Sequence, residues 1–144
     1  MRLTQFTDNA LRCLMFLGQS DRRTETIAEV AGRMSMSEDH LLKVVRRLNQ
    51  LGYVRPVRGR NGGIGLARPP EEINVGDVVR AMEENLCLVP CFSDGLACPL
   101  SPACLLAGVL DEALAAFMQT LGRYTLADLL KNREAIQATL QRAS

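Results

Sequence analysis

Histidine occurs once in these 144 residues, at His40, and that scarcity removes most of the hydrolytic repertoire. Any Ser/His/Asp or Cys/His arrangement would have to be built on this one ring. No HExxH pair, nucleophile elbow or P-loop is present, so an enzyme is not expected. Long apolar runs are missing too. None approaches the roughly 18 residues that cross a bilayer, and no membrane partner is expected. The stretch Met1-Arg2-Leu3-Thr4-Gln5 lacks the apolar run and small-residue cleavage site of a signal peptide, so the expected compartment is cytoplasmic. Cysteine is sparing, and its count of five is odd, which argues against a disulfide framework. In the cytoplasm clustered thiols more often bind metal or sense redox state.

What remains is one domain's length of chain with 47% hydrophobic residues. The net charge of +1 conceals two unlike halves. Residues 1–68 carry 12 Lys/Arg against 6 Asp/Glu, and residues 69–144 carry 5 against 10. The first half is suited to a polyanion, the second to something else.

Apolar residues at Phe6, Ala10, Cys13, Leu14 and Leu17 predict a helix capped by Thr4 or Thr7 and followed by Gly18. A short helix follows at 26–31, stopped near Gly32. Ser35 with Glu38 reads as a capping box, with Ser37 an equally good cap. The third helix then turns Leu41, Leu42, Val44, Val45, Leu48 and Leu51 inward and stops at Gly52. Residues 53–57 and 64–67 predict two short strands around a glycine-rich turn. Three helices and a hairpin, in that order, outline a winged helix-turn-helix in a mainly α protein. A helix from Val75 to Glu84 is expected next. The apolar pattern from Leu105 to Leu121 then predicts a long helix, too apolar to face water alone and therefore expected to pack on a second copy of the chain. The expected division is a DNA-binding region over 1–70, a linking helix and cysteine-rich loop over 71–104, and a dimerisation helix with a C-terminal segment over 105–144.

The third helix presents His40, Lys43, Arg46, Arg47 and Gln50 away from its apolar stripe, as a helix in a major groove does. The turn adds Arg58 and Arg60 on a backbone loosened by Gly59, Gly62 and Gly63, suited to a phosphate backbone or a minor groove. The residues expected at DNA are Ser37, His40, Lys43, Arg46, Arg47, Arg58, Arg60, Asn61 and Gly62. In GRNGGIG the glycines stand in the wrong order for GxGxxG, and no helix can open at Pro69-Pro70.

Three cysteines, Cys91, Cys98 and Cys104, fall in the stretch CFSDGLACPLSPAC. Paired CxxC knuckles, the usual sign of structural zinc, are absent. Wide and uneven spacing suits a group larger than one ion, with ligands approaching different corners of a cluster. Cys13 falls on a buried face and reads as a core residue. Cys87, four residues before Cys91, leaves a four-thiolate site open, and with it zinc or an ordinary saturated cluster.

FTDNALRCLMFL, the RGxxGG turn at 58–63, the three-cysteine loop and YTLADLL together resemble the Rrf-type family of bacterial winged-helix iron–sulfur regulators, over about Leu3 to Leu130. Within it the match is closest to the nitric-oxide-sensing repressors. The resemblance implies a homodimer on a palindromic DNA operator and an iron–sulfur cluster, 4Fe–4S rather than 2Fe–2S. It implies Cys91, Cys98 and Cys104 as ligands and a fourth, Asp8, from the partner subunit. In a sister branch that regulates cluster assembly the fourth ligand is a histidine three residues after the third cysteine; that position here is Ala107. Damage to the cluster by nitric oxide would then release the protein from DNA. Other readings are a redox or iron–sulfur-status regulator of the same family, and a zinc-stabilised interaction module that does not sense.

Overall fold

The computed structural model describes residues 2–59, 62–89 and 103–142. Helix α1 spans Gln5–Gln19, α2 Ile27–Met34 and α3 Glu38–Gln50. Strands β1 (Val54–Val57) and β2 (Gly63–Leu66) form an antiparallel hairpin with Val54 opposite Leu66 and Val57 opposite Gly63. A 3-10 turn over Pro70–Glu72 leads to α4 (Val75–Met82), and α5 (Leu105–Leu121), α6 (Leu126–Leu129) and α7 (Arg133–Arg142) complete the order. The expected mainly α winged helix-turn-helix with a long C-terminal helix is what the chain forms.

The first three helices enclose the core. Leu14 of α1, Val30 of α2 and Leu41, Val44 and Leu48 of α3 are fully buried. Burying side chains of this size stabilises a fold by roughly 1.5–3 kcal/mol each. Ile64 of the hairpin joins them, and Glu25 exchanges two backbone hydrogen bonds with it, at 3.0 and 2.8 Å. That bridge seats the wing against the α1–α2 connection. Gly63 permits it, because a Cβ there would collide with the Glu25 carbonyl.

Several boundaries differ from the sequence expectation, each for a local reason. Helix α1 passes through Gly18 to Gln19; a Cβ at Gly18 would stand 2.6 Å from Leu130 Cδ1, so this glycine admits a neighbour rather than ending a helix. Gly32 likewise lies inside α2, which ends where Ser35 adopts φ 51, the left-handed conformation of a C-cap. Ser35 therefore cannot also cap α3, and the N-cap is Ser37. Leu42 is 39% exposed, on the outer side of α3. Helix α4 stops at Met82 because Glu83 is already extended.

The C-terminal elements are stitched back onto the 3-10 turn and α4. Leu126 donates its amide to the Ile73 carbonyl at 2.8 Å, Val75 to the Tyr124 carbonyl at 2.9 Å, and the Asn74 side chain to the Gly122 carbonyl at 2.8 Å. Arg133 pairs with Asp21, and Gln137 donates to the Gln19 carbonyl, which anchors α7 to the end of α1. Among the described residues, the one buried residue of helix α5 is Met118, near its far end. Leu105, Leu106 and Val109 are 86, 62 and 60% exposed. Among the described residues no helix is long and apolar enough to cross a membrane.

Candidate nucleic-acid interface and metal ligands

The α2–α3 turn is pinned before α3 begins. Met36 donates its amide to the Ala31 carbonyl at 2.8 Å, and the Arg12 guanidinium donates to the Met34 carbonyl at 2.8 Å. Ser37 then opens α3 without using its hydroxyl as a cap, which leaves that exposed group for an external partner. The buried stripe of Leu41, Val44, Val45 and Leu48 follows the helical repeat. It turns Lys43, Arg46 and Arg47 to the exposed side.

These cations are not equally available. The side chains of Lys43, Arg46 and Arg58 make no hydrogen bond or ion pair among the described residues. Arg47 instead donates to the Ala81 carbonyl of α4 at 3.2 Å. Arg55 donates to the Leu66 carbonyl. Arg68 donates to the Gly52 and Leu51 carbonyls and stacks 4.9 Å from the Tyr53 ring centre. Arg22 holds Glu25 and Glu29. Part of the positive charge in the first half is thus structural, whereas Lys43, Arg46 and Arg58, like Arg2, Arg23 and Arg33, are exposed with no bonded partner among the described residues.

His40 is half-buried. Its ring meets Phe6 of α1 edge-on, with centres 6.0 Å apart, and its Nε2 is buried without a hydrogen-bond partner. At the wing, Gly59 has φ 119, and Gly62 donates its amide to the Gly59 carbonyl at 2.9 Å. A Cβ on Gly62 would lie 2.5 Å from the Val57 carbonyl oxygen, so the tight turn demands glycine at 62. Arg60 and Asn61 lie outside the described residues.

Of the expected metal ligands, Cys91 and Cys98 also lie outside the described residues. Cys104 is a free, half-buried thiol at the N-cap of α5. Asp8 is exposed in the first turn of α1 and faces only Arg12, 3.7 Å away in a loose surface pair. Its carboxylate is accessible to an external ligand. Cys87 is exposed and free, its amide bonded to the Asn85 side chain. Cys13 is different. Burial pushes its thiol up to about 12, so it stays protonated in the core and cannot serve as a ligand. Among the described residues no three His, Cys, Asp or Glu converge on a point that could hold a metal ion. The donors present are still of the right kind: an accessible thiol at a helix start and an unburdened carboxylate fit an iron–sulfur group.

Residues that sequence reasoning did not single out include Glu83, which accepts from the Thr4 amide and hydroxyl at 2.7 and 3.0 Å, and Ala81, whose carbonyl receives Arg47. No local signal marks either, since their partners are 79 and 34 positions away.

A pinned turn, a helix with outward cations and a glycine wing define a winged-helix, DNA-binding transcription regulator. Residues 3–132 match the Rrf2 family, described as an iron-dependent transcriptional regulator, and the chain belongs to that family. It is similar over nearly its full length to transcriptional regulators named NsrR. The NsrR of Geobacillus kaustophilus is 50% identical over 143 residues, 98% of this chain and 97% of the relative. The NsrR of Bacillus subtilis is 46% identical, covering 98% of each. Among solved structures, IscR of T. potens superposes with a TM-score of 0.74 at 26% identity, over 95% of this chain and 91% of that one. These are regulators, not enzymes, and so is this chain.

Proposed function

We propose that this regulator is a repressor that senses nitric oxide through an iron–sulfur cluster held by Cys91, Cys98 and Cys104, with Asp8 of the partner subunit as the fourth ligand. The observation that carries it is the full-length likeness to regulators named NsrR, in a chain whose Asp8 and Cys104 are both accessible to a ligand. When bound, a 4Fe–4S cluster supplies iron that nitric oxide can attack. Carboxylate is a harder, weaker ligand for that iron than thiolate, so Asp8 is the contact most easily lost.

The chain's own residues do the rest. In the region 1–70, Ser37, Lys43 and Arg46 face the major groove, and Arg58, Arg60, Asn61 and Gly62 meet the backbone beside it. His40 and Arg47 keep α3 in place. The region 71–104 carries the cysteines and links them to this reader. The region 105–144 pairs two chains through the exposed apolar residues of α5, which matches a palindromic operator. With Asp8 engaged across the dimer, α1 is fixed from outside the subunit. With Asp8 free, it is not, and the difference in operator affinity between the two states is the signal. The setting is the cytoplasm, with no membrane partner.

A second reading, a four-thiolate zinc site that does not sense, draws on the exposed free thiol of Cys87. Three substitutions separate the two. Cys98→Ala should abolish the absorbance of an anaerobically purified cluster, Cys87→Ala should retain it, and Asp8→Ala should leave a bound but shorter-lived cluster. Loss of the cluster in Cys87→Ala, or a colourless wild type carrying zinc, would overturn the proposal.

A further inference from the structure

The C-terminal turn of α4 touches two other elements at once. Arg47 of α3 reaches the Ala81 carbonyl, one of the last carbonyls of α4 and one without a partner inside its own helix. Two residues on, Glu83 accepts both the amide and the hydroxyl of Thr4, the N-cap of α1. Burial pushes the Glu83 carboxyl up, but bonds from the Thr7 hydroxyl and from the Thr4 amide and hydroxyl more than offset this and hold it below the ordinary range. It therefore accepts them as an anion, and charge-assisted bonds of this kind are about twice as strong as neutral ones. Asp8 lies one helical turn beyond Thr4, and its amide donates to the Thr4 carbonyl at 3.0 Å. His40 adds the edge contact to Phe6 between the same two helices. A cavity of about 310 Å³ lined by Phe6, Arg47, Ala81, Met82, Glu83 and Glu84 sits beside these contacts. Met82, 4% exposed, keeps the end of α4 in the core.

We infer that Glu83 and Arg47 are positioning residues that couple the cysteine-bearing segment to DNA reading, Glu83 by holding the start of α1 and Arg47 by holding the recognition helix. The α4 turn is the one described element bonded both to the helix that carries Asp8 and to the helix that carries Lys43 and Arg46. A displacement of this turn reaches both at once. The inference rests on the nitric-oxide reading above. A purely structural role for these bonds would lower stability and leave the difference between signalling states untouched.

The test measures affinity for a DNA duplex that the wild-type cluster-bearing protein selects from a random-sequence pool. Each protein is measured with its cluster and after nitric oxide treatment, and the ratio of the two affinities is read together with cluster absorbance and thermal midpoint. Couplings of this kind typically amount to roughly 5- to 150-fold. In Glu83→Ala the ratio should collapse toward one with the cluster absorbance retained. In Glu83→Gln, which keeps an acceptor oxygen without the charge, it should fall part of the way. Arg47→Gln cuts the other tie and should also collapse the ratio. If Arg47 is only a phosphate contact, its loss will weaken both states equally and keep the ratio, which overturns its part. A wild-type ratio retained in Glu83→Ala overturns the inference alone. A wild type with no ratio overturns the nitric-oxide reading, and the coupling with it.

Discussion

Glu29 is the third residue of α2 and completes a capping box with Thr26. A hydrogen bond from the Thr26 amide, a second from Arg22 and a third from the Thr26 hydroxyl hold its carboxyl down at about 2, against an ordinary 4.5. A depressed carboxylate contributes stability that is fully present above its unfolded pKa and is lost as pH falls through the folded one. Glu29→Gln should therefore melt below wild type at pH 7, and the gap should close as pH falls from about 5 to 2. Thermal melts across that range decide the point, and a gap independent of pH would show that the charge contributes nothing. The start of α2 at Thr26 was legible from adjacent residues. The contacts of Arg47 and His40 were not, since a residue's exposed side on a helical repeat says nothing of a carbonyl or a ring brought to it from another helix. Ser35 shows the converse: its type suits an N-cap, but the left-handed end of α2 claims it first.

Among the elements, α1 to α3 and the hairpin follow closely from hydrophobic period and glycine placement, because each buries a stripe whose spacing the chain itself carries. Ends were less legible than centres. Gly18 and Gly32 looked like stops but lie inside their helices, Gly18 making room for Leu130. The excess apolar character of α5 was legible, and the structure leaves Leu105, Leu106 and Val109 uncovered. A contiguous face of that kind on a helix anchored at one end is suited to a copy of itself. Sedimentation should show a dimer for the wild-type protein and a monomer for Leu106→Asp, with helical content unchanged. A dimer that survives the buried carboxylate would remove α5 from the interface.

At the scale of the whole molecule, the two halves of unlike charge correspond to two tasks joined by α4. The basic half is partly internal bracing, with Arg12, Arg22, Arg47, Arg55 and Arg68 bonded within the fold. Lys43, Arg46 and Arg58 are exposed and make no such bond among the described residues. The acidic half supplies Glu83, the bond through which the cysteine-bearing side holds α1. The central claim is that these tasks are coupled through a cluster that nitric oxide can damage. It is tested most directly by titrating anaerobically purified protein with nitric oxide while recording visible absorbance and affinity for its selected duplex in the same sample. The account predicts a brown protein that binds tightly and loses affinity in step with its absorbance, by roughly fivefold or more. A colourless protein, or one whose absorbance bleaches while its DNA affinity stays constant, would contradict it.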